Sequence, residues 1–255
     1  MPEVSITIAA YNCEKTISRA IESVLLQSYI DWELVIIDDY SSDNTRLIIE
    51  QYAKKDQRIH LLINENNLGI YKTRLKSLGV CKGDLIAVLD SDDIWSDSGK
   101  LKKQINFLKD NKDCVLVGGM AKVIDENEEE IGVVIRQNKD EEIRKKILSS
   151  NQFVHSSVMF RKKVAESVGG YGEFSVGEDY DLFLRMGLKG KFANLTDILV
   201  YYRRHSSNVT WKNRVISAKE HLKIIKKYKK LYPNFLLALL KAYLRILFAY
   251  LNLLK

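Results

Sequence analysis

An α/β fold built on a mostly parallel central sheet, flanked by helices, is what this 255-residue sequence predicts, and three observations carry the prediction. Short apolar runs alternate with longer stretches of helical periodicity, the pattern of βαβ units. The runs are apolar from end to end, as strands covered by helices on both faces must be. Three of them finish in a polar cluster: Tyr11-Asn12, Asp38-Asp39 and Asp90-Ser91-Asp92-Asp93. In open α/β sheets ligands bind outside the carboxyl ends of the strands, so these clusters should converge on one rim.

In chain order, Val4–Ala10 is the first strand. Residues 13–27 follow as a helix, because Ile17, Ala20, Ile21, Val24 and Leu25 fall at helical spacing. Residues 33–37 make the second strand, and the turn DDYSSDNT ends in residue types that cap the next helix, at 46–54. Residues 60–63 are a third strand, 68–81 a third helix and 85–89 a fourth strand that runs into DSDD. The second half is less regular. Cys114–Ile124 and residues 131–135 read as a hairpin around DENEEE, 140–148 as a short helix and 153–160 as a strand. A turn with Gly169, Gly170 and Gly172 leads into GEDYDLFLRMGLKG, whose early carboxylates suit a helix N-terminus, and a last strand ends in YYRRH. With Pro only at 2 and 233 and no repeat or low-complexity linker, residues 1–210 read as one body, with a boundary near 206–212.

Composition narrows the class. At 46% hydrophobic and 29% charged, the chain is neither disordered nor fibrous. Cys13, Cys81 and Cys114 have no CxxC spacing, which argues against a disulfide framework or a cysteine zinc site and fits a reducing cytosol. The first residues lack the basic and apolar regions of a signal peptide. The net charge of +7 is unevenly placed: residues 203–255 hold thirteen Lys or Arg against Glu220, a balance of +12, which leaves the first 202 residues at −5.

The acids at the rim carry the chemistry. Crowded at a strand end, the carboxylates of DSDD repel one another unless a cation relieves them, and hard oxygen donors suit Mg²⁺ or Mn²⁺ with water and phosphate completing the shell. A solvated, helix-capping turn is the bland alternative, and the second acidic pair at Asp38-Asp39 shifts the balance toward a metal and diphosphate site. Neither GxGxxG nor GxxxxGK[ST] occurs. Asp39 can accept from a base or ribose, and Tyr11 can stack on a base; each taken alone reads more readily as structural. Glu178-Asp179 open a helix, and a carboxylate at a cleft mouth can act as a general base. His155 and His205 lie near these segments, whereas His60 and His221 look incidental. No GxSxG and no Cys/His pattern points to a nucleophilic hydrolase.

Taken together, TIAAYN, WELVIIDDYSSDNT, NENNLGIYKTR with CKGDLIAVLDSDDIW, and GGYGEFSVGEDYDLFLRM with YYRRHSSNVT resemble the family 2 glycosyltransferases of the GT-A fold, in order over residues 4–210. The resemblance implies a nucleotide-binding half (1–95) and an acceptor half (96–210). It implies that Ala10, Tyr11, Asp39, Arg74, Asp90 and Ser91 bind a UDP-sugar, with Tyr11 and Asp39 on the uracil and Asp90 toward the ribose. Asp92, with His205 nearby, matches the metal position for Mn²⁺ or Mg²⁺, and Asp179 the base in an inverting displacement. Trp95, His155 and Glu178 fall in acceptor or supporting positions. Departures exist: the family's ARNxG segment is Thr73-Arg74-Leu75-Lys76-Ser77 here, and the frequent Pro after Trp95 is replaced within SDSGK.

Residues 211–255 form a basic amphipathic extension. Eight Lys or Arg lie between 212 and 230, and beyond Pro233 the polar residues Asn234, Lys241, Arg245, Asn252 and Lys255 fall on one stripe of an otherwise apolar helix. Two central cations make a membrane span expensive, so an in-plane helix drawn to anionic lipid fits, as does packing on the body or in a homodimer. The expected setting is cytoplasmic, peripheral on the inner face of a bacterial membrane, with a polyprenyl-diphosphate-linked saccharide as acceptor in lipopolysaccharide O-antigen or capsule synthesis. A sugar nucleotidyltransferase is the second reading, weakened because AAYNCEK lacks a Gly-rich phosphate loop. Nucleic-acid binding is the third, weakened because the charge adjoins an apolar helix instead of base-stacking aromatics.

Overall fold

The computed structural model describes residues 1–205 and 214–251. The boundary expected near 206–212, together with Asn252 and Lys255, falls outside the described residues. The first half follows the predicted alternation: β1 Val4–Ala10, α1 Ile17–Leu25, β2 Trp32–Asp38, α2 Thr45–Lys55, β3 Ile59–Ile63, α3 Ile70–Val80 and β4 Leu85–Val88. These strands are parallel in the order β3-β2-β1-β4. In-register pairing sets Ala10 beside Asp38 and Asp38 beside Ile63, so three strands end level with one another.

The second half comprises β5 Ile94–Trp95, α4 Lys100–Asp110, β6 Cys114–Ile124, β7 Glu130–Val134, α5 Asp140–Ile147, β8 Met159–Arg161, α6 Lys162–Ser167, α7 Glu178–Gly187 and β9 Lys191–Arg203. β8 is antiparallel to both β4 and β6, which returns β6 and its parallel neighbour β9 to the direction of the first four strands. β5 closes the far edge against β9, and β7 pairs with β6 as the expected hairpin.

Both faces of the sheet are covered, which explains the uniformly apolar strands. Val35, Ile37, Ile86 and Val88 pack with α3, α5 and α7 on one side. Ile6, Ile8, Leu34, Ile36 and Ala87 pack with α1, α2 and α4 on the other. This alternation is the period-2 geometry of a strand applied to two buried faces.

One prediction is corrected. Residues 153–160 do not form a continuous strand: His155–Ser157 is a 3₁₀ turn, and only Met159–Arg161 pairs. The Ser157 hydroxyl donates to the Val154 carbonyl (2.8 Å), and the Ser156 hydroxyl accepts from the Asp90 amide (3.1 Å). Such local bonds from serine compete with strand pairing. The turn brings His155 and Ser156 to the rim.

The C-terminal helices, α8 Arg214–Lys227 and α9 Phe235–Tyr250, contribute Ile224, Ile225, Ala238 and Ala242 to the same core as α7, joined by Tyr228 just past α8. Asn234 Nδ2 donates to the Lys145 carbonyl (2.9 Å), and Arg245 lies against Ser149. These two members of the polar stripe therefore face the body, while Leu236, Leu237, Leu240, Leu244 and Leu247 point outward. No helix among the described residues is long and apolar enough to cross a membrane.

Candidate active site

The site is drawn from loops at the carboxyl ends of β1, β2, β4 and β9 and from the start of α7, which Arg74 links to Asp90. After β1, Asn12 adopts a left-handed backbone (φ 46°) and its Oδ1 accepts from the Ser42 amide (2.8 Å), leaving the Tyr11 ring 52% exposed on the rim. Ala10 is buried, and its carbonyl accepts from the Asp39 amide (2.8 Å). Asp38 is also buried and caps its own turn, taking the Ser41 hydroxyl at 2.5 Å.

Asp39, expected at the nucleotide, is engaged within the fold. Its carboxylate accepts from Asn64 Nδ2 (2.8 Å), Leu68 N (2.8 Å) and Gly69 N (2.9 Å). Gly69 has φ 82°, a left-handed conformation that a side chain would strain, and it starts α3. Asp39 thus fixes the loop that aims α3, and about one of the roughly four acceptor positions of a carboxylate is left for a ligand.

The centre of the site is a chain of ionic bonds. Arg74, on α3, donates to Asp90 Oδ1 (2.5 Å) and to Glu178 Oε1. Asp90 also takes His155 Nδ1 at 2.9 Å, and His155 Nε2 meets the Tyr171 hydroxyl at 3.3 Å. Burial alone raises the Asp90 pKa, but His155 and Arg74 more than offset it and hold the carboxyl below the usual range. Burial works against the Arg74 charge, yet Asp90 and Glu178 raise its pKa further. At Glu178 burial wins, and the carboxyl is pushed up although Arg74 opposes the shift.

Asp92 and Asp93 have different duties. Asp92 accepts from, or faces, His205 Nε2 at 2.8 Å, and both side chains remain partly open to solvent. Asp93 is buried, takes the Arg203 amide (2.8 Å) and the Ser156 hydroxyl, and is pushed well up by burial and by its acidic neighbours. Ser91 sits by the Cys13 thiol, which the Thr45 hydroxyl meets at 3.8 Å. Arg203 ties the loop down: its Nε donates to the Asp92 carbonyl (3.0 Å) and its Nη2 to Glu128 (2.9 Å). Glu128 in turn binds Arg19, and these two arginines hold its pKa down at about 2.

Asp179 stands at the first turn of α7, next to Glu178 and half-buried, with Asn151 Nδ2 at 3.5 Å. Gly177 precedes it with φ 90°. Trp95 is buried: its indole donates to the Ser156 carbonyl (2.8 Å) and carries the buried Lys100 ammonium over its ring.

The structure therefore gathers Asp90, Arg74, His155 and Glu178 into one network, sets Asp92 with His205 beside it, and keeps Tyr11 and Asp39 on the adjoining loops. Sequence reading missed Arg203, Ser156 and Tyr171, whose partners are distant in the chain. Among the described residues no three His, Cys, Asp or Glu side chains form a metal cluster. Asp92 and His205 supply two donors, which fits an Mn²⁺ or Mg²⁺ ion that takes its remaining ligands from water and phosphate.

Known proteins share this architecture. A mannosyltransferase from Pyrobaculum calidifontis, solved with GDP-Man and Mn²⁺, superposes on 98% of this chain and 75% of its own, with TM-score 0.72 and 15% identity. The S. aureus TarS structure with UDP-GlcNAc covers 97% and 73%, with TM-score 0.73 and 18% identity. These likenesses establish the GT-A fold. In sequence, WfgD of Escherichia coli, a UDP-Glc:alpha-D-GlcNAc-diphosphoundecaprenol beta-1,3-glucosyltransferase, is 45% identical over 115 residues, 45% of this chain and 44% of WfgD. The family model described as glycosyl transferase family 2 matches residues 5–169, and this chain belongs to that family.

Proposed function

We propose that the protein is an inverting, metal-dependent glycosyltransferase that moves a hexosyl or N-acetylhexosaminyl group from a UDP-sugar to a hydroxyl of a polyprenyl-diphosphate-linked saccharide. The observation that carries this reading is Arg74. By bonding Asp90 and Glu178 together, it couples the donor loop to the helix that bears Asp179. WfgD, which uses a UDP-sugar and a diphosphoundecaprenol acceptor, supports the choice of substrates.

Each residue has a physical task. Tyr11 offers a face for the base, and the remaining acceptor position on Asp39 suits a uracil N–H. Asp92 and His205 would hold the cation, which when bound stabilises negative charge on the departing UDP. Asp179 takes the proton of the acceptor hydroxyl as its oxygen attacks the anomeric carbon, opposite the breaking bond to the diphosphate. Glu178 is engaged by Arg74, so the neighbouring Asp179 is the carboxylate left to serve as base. The test is UDP release from UDP-glucose, UDP-galactose and their N-acetyl forms. Release is expected with Mn²⁺, lost with EDTA, and reduced at least about 100-fold in Asp92→Asn; metal-independent release at the wild-type rate sinks the reading.

The tail supports action at a membrane. The inner stripe of α9 is built from Ala238, Ala242 and Ala249, so the leucines form a continuous outward face. Lys219 lies over the Tyr250 ring and Lys226 over Tyr243, which places α8 cations alongside that face. Between residues 214 and 251 there are nine Lys or Arg and one acid. An apolar face bordered by cations suits an anionic bilayer, a mode that lets the protein lie in the interface on the same side as the lipid-linked acceptor. Phosphatidylglycerol vesicles are expected to co-float with the protein, phosphatidylcholine vesicles much less so, and Leu240→Glu/Leu244→Glu not at all. A stable dimer that ignores both vesicle types would assign the face to a second subunit instead.

A further inference from the structure

A cleft of about 180 Å³ opens beside Asp179, between the start of α7 and the C-terminal helix α8. Asn151 and Asp179 come from the body, Ser217 and His221 from α8. The last two are four residues apart and share one helix face. His221, which looks incidental in the sequence, stacks on Tyr180 at 5.2 Å with the rings 13° apart. Burial and then the Arg245 charge push its pKa down to about 3, with the Leu148 backbone acting weakly in the opposite direction. The imidazole is therefore neutral under working conditions. A neutral imidazole has one donor and one acceptor nitrogen, and the Leu148 backbone beside the ring favours the proton on the nitrogen facing it, which leaves Nε2 as the acceptor. That atom is shielded and has no hydrogen-bond partner. Buried polar atoms are nearly always paired, so an orphan acceptor on a cleft wall marks a place for a ligand donor.

We propose that this cleft receives the acceptor sugar and that α8 selects it: one hydroxyl meets Asp179, a neighbouring hydroxyl donates to His221 Nε2, and Ser217 binds the rim of the ring. The inference rests on Asp179 being the base. The ligand it fits is a single pyranose unit with two accessible hydroxyls, which supply the donors that two adjacent acceptors need. Because Nε2 is closed in the free protein, binding includes a local opening of the cleft wall. The helix that carries the cations beside the lipid-facing leucines thereby also forms one wall of the acceptor site.

His221→Phe keeps a ring for the Tyr180 stack and removes the nitrogen, and Ser217→Ala removes the hydroxyl. Each is expected to raise the acceptor KM about three- to tenfold with kcat and donor affinity unchanged, and His221→Gln, which restores an acceptor oxygen, to recover part of the loss. An unchanged acceptor KM in both variants, or a change in donor KM instead, overturns the proposal. A second measurement needs no turnover. Methyl glycosides of glucose, galactose and N-acetylglucosamine, added to the ¹⁵N-histidine-labelled full chain, should shift the His221 Nε2 resonance. If none shifts it, the proposal is wrong, whereas absent UDP release by the wild type would refute the broader reading of function.

Discussion

Asp179→Asn is expected to lower sugar transfer by about 10²- to 10⁴-fold, the usual worth of a general base, while UDP-sugar affinity stays within about twofold of wild type. The asymmetry follows from position. Asp179 lies at the first turn of α7 and bonds weakly to Asn151, at 3.5 Å, so the amide variant fits without stranding a partner. Glu178, next in the chain, cannot take over, because it is buried and paired with Arg74. Transfer assays with saturating Mn²⁺ and isothermal titration of UDP separate the two effects. Equal loss of donor binding would mean that Asp179 belongs to the donor site.

Arg74→Ala is expected to cost about 3–5 kcal/mol of stability, the range for breaking a buried ion pair from one side. The guanidinium is held between Asp90 and Glu178, and its removal leaves both carboxylates facing each other across a desolvated gap. Arg74→Lys should recover little, since a single ammonium cannot reproduce two forked contacts. The sign of the pH effect follows. In the wild type Asp90 has a lowered pKa, so its contribution is present above its ordinary value near 3.8 and is lost as pH falls through the folded value. In Arg74→Ala Glu178 loses the charge that opposes its upward shift while Asp90 keeps His155, so the penalty is largest near neutrality and shrinks on acidification as Glu178 protonates. Urea midpoints at pH 7 and pH 4.5 should therefore differ most between variant and wild type at the higher pH. A variant as stable as wild type at pH 7 would show that the Arg74 bridge carries no weight.

Much of the framework was legible because strand burial and helix periodicity are local. The strands at Val4–Ala10 and Cys114–Ile124 matched their predicted bounds, and Asp39 and Asp90 lie at the ends of β2 and β4, two of the strands predicted to carry acids to the rim. α4 was missed although Leu101, Ile105 and Leu108 carry its spacing, because four lysines in eleven residues dilute the apolar signal. The turn at His155–Ser157 was missed for another reason: its conformation depends on serine hydroxyls whose partners come from Asp90 and Asp93, more than sixty residues away. Long-range pairing likewise hid the bond between Arg74 and Glu178, which are 104 residues apart, and the placement of His221 against Tyr180. Residue type announced that Asp39 was important, but only the fold shows that it also holds the loop at Leu68 and Gly69.

The proposed reaction is a single displacement, with a donor held at the Asp90–Asp92 loop and a base on α7 acting from the opposite side. The anomeric configuration of the transferred sugar tests it most directly, read as the ¹H NMR coupling constant of the new linkage formed from an α-configured UDP-sugar. A β-linked product is predicted; an α-linked product would contradict the account.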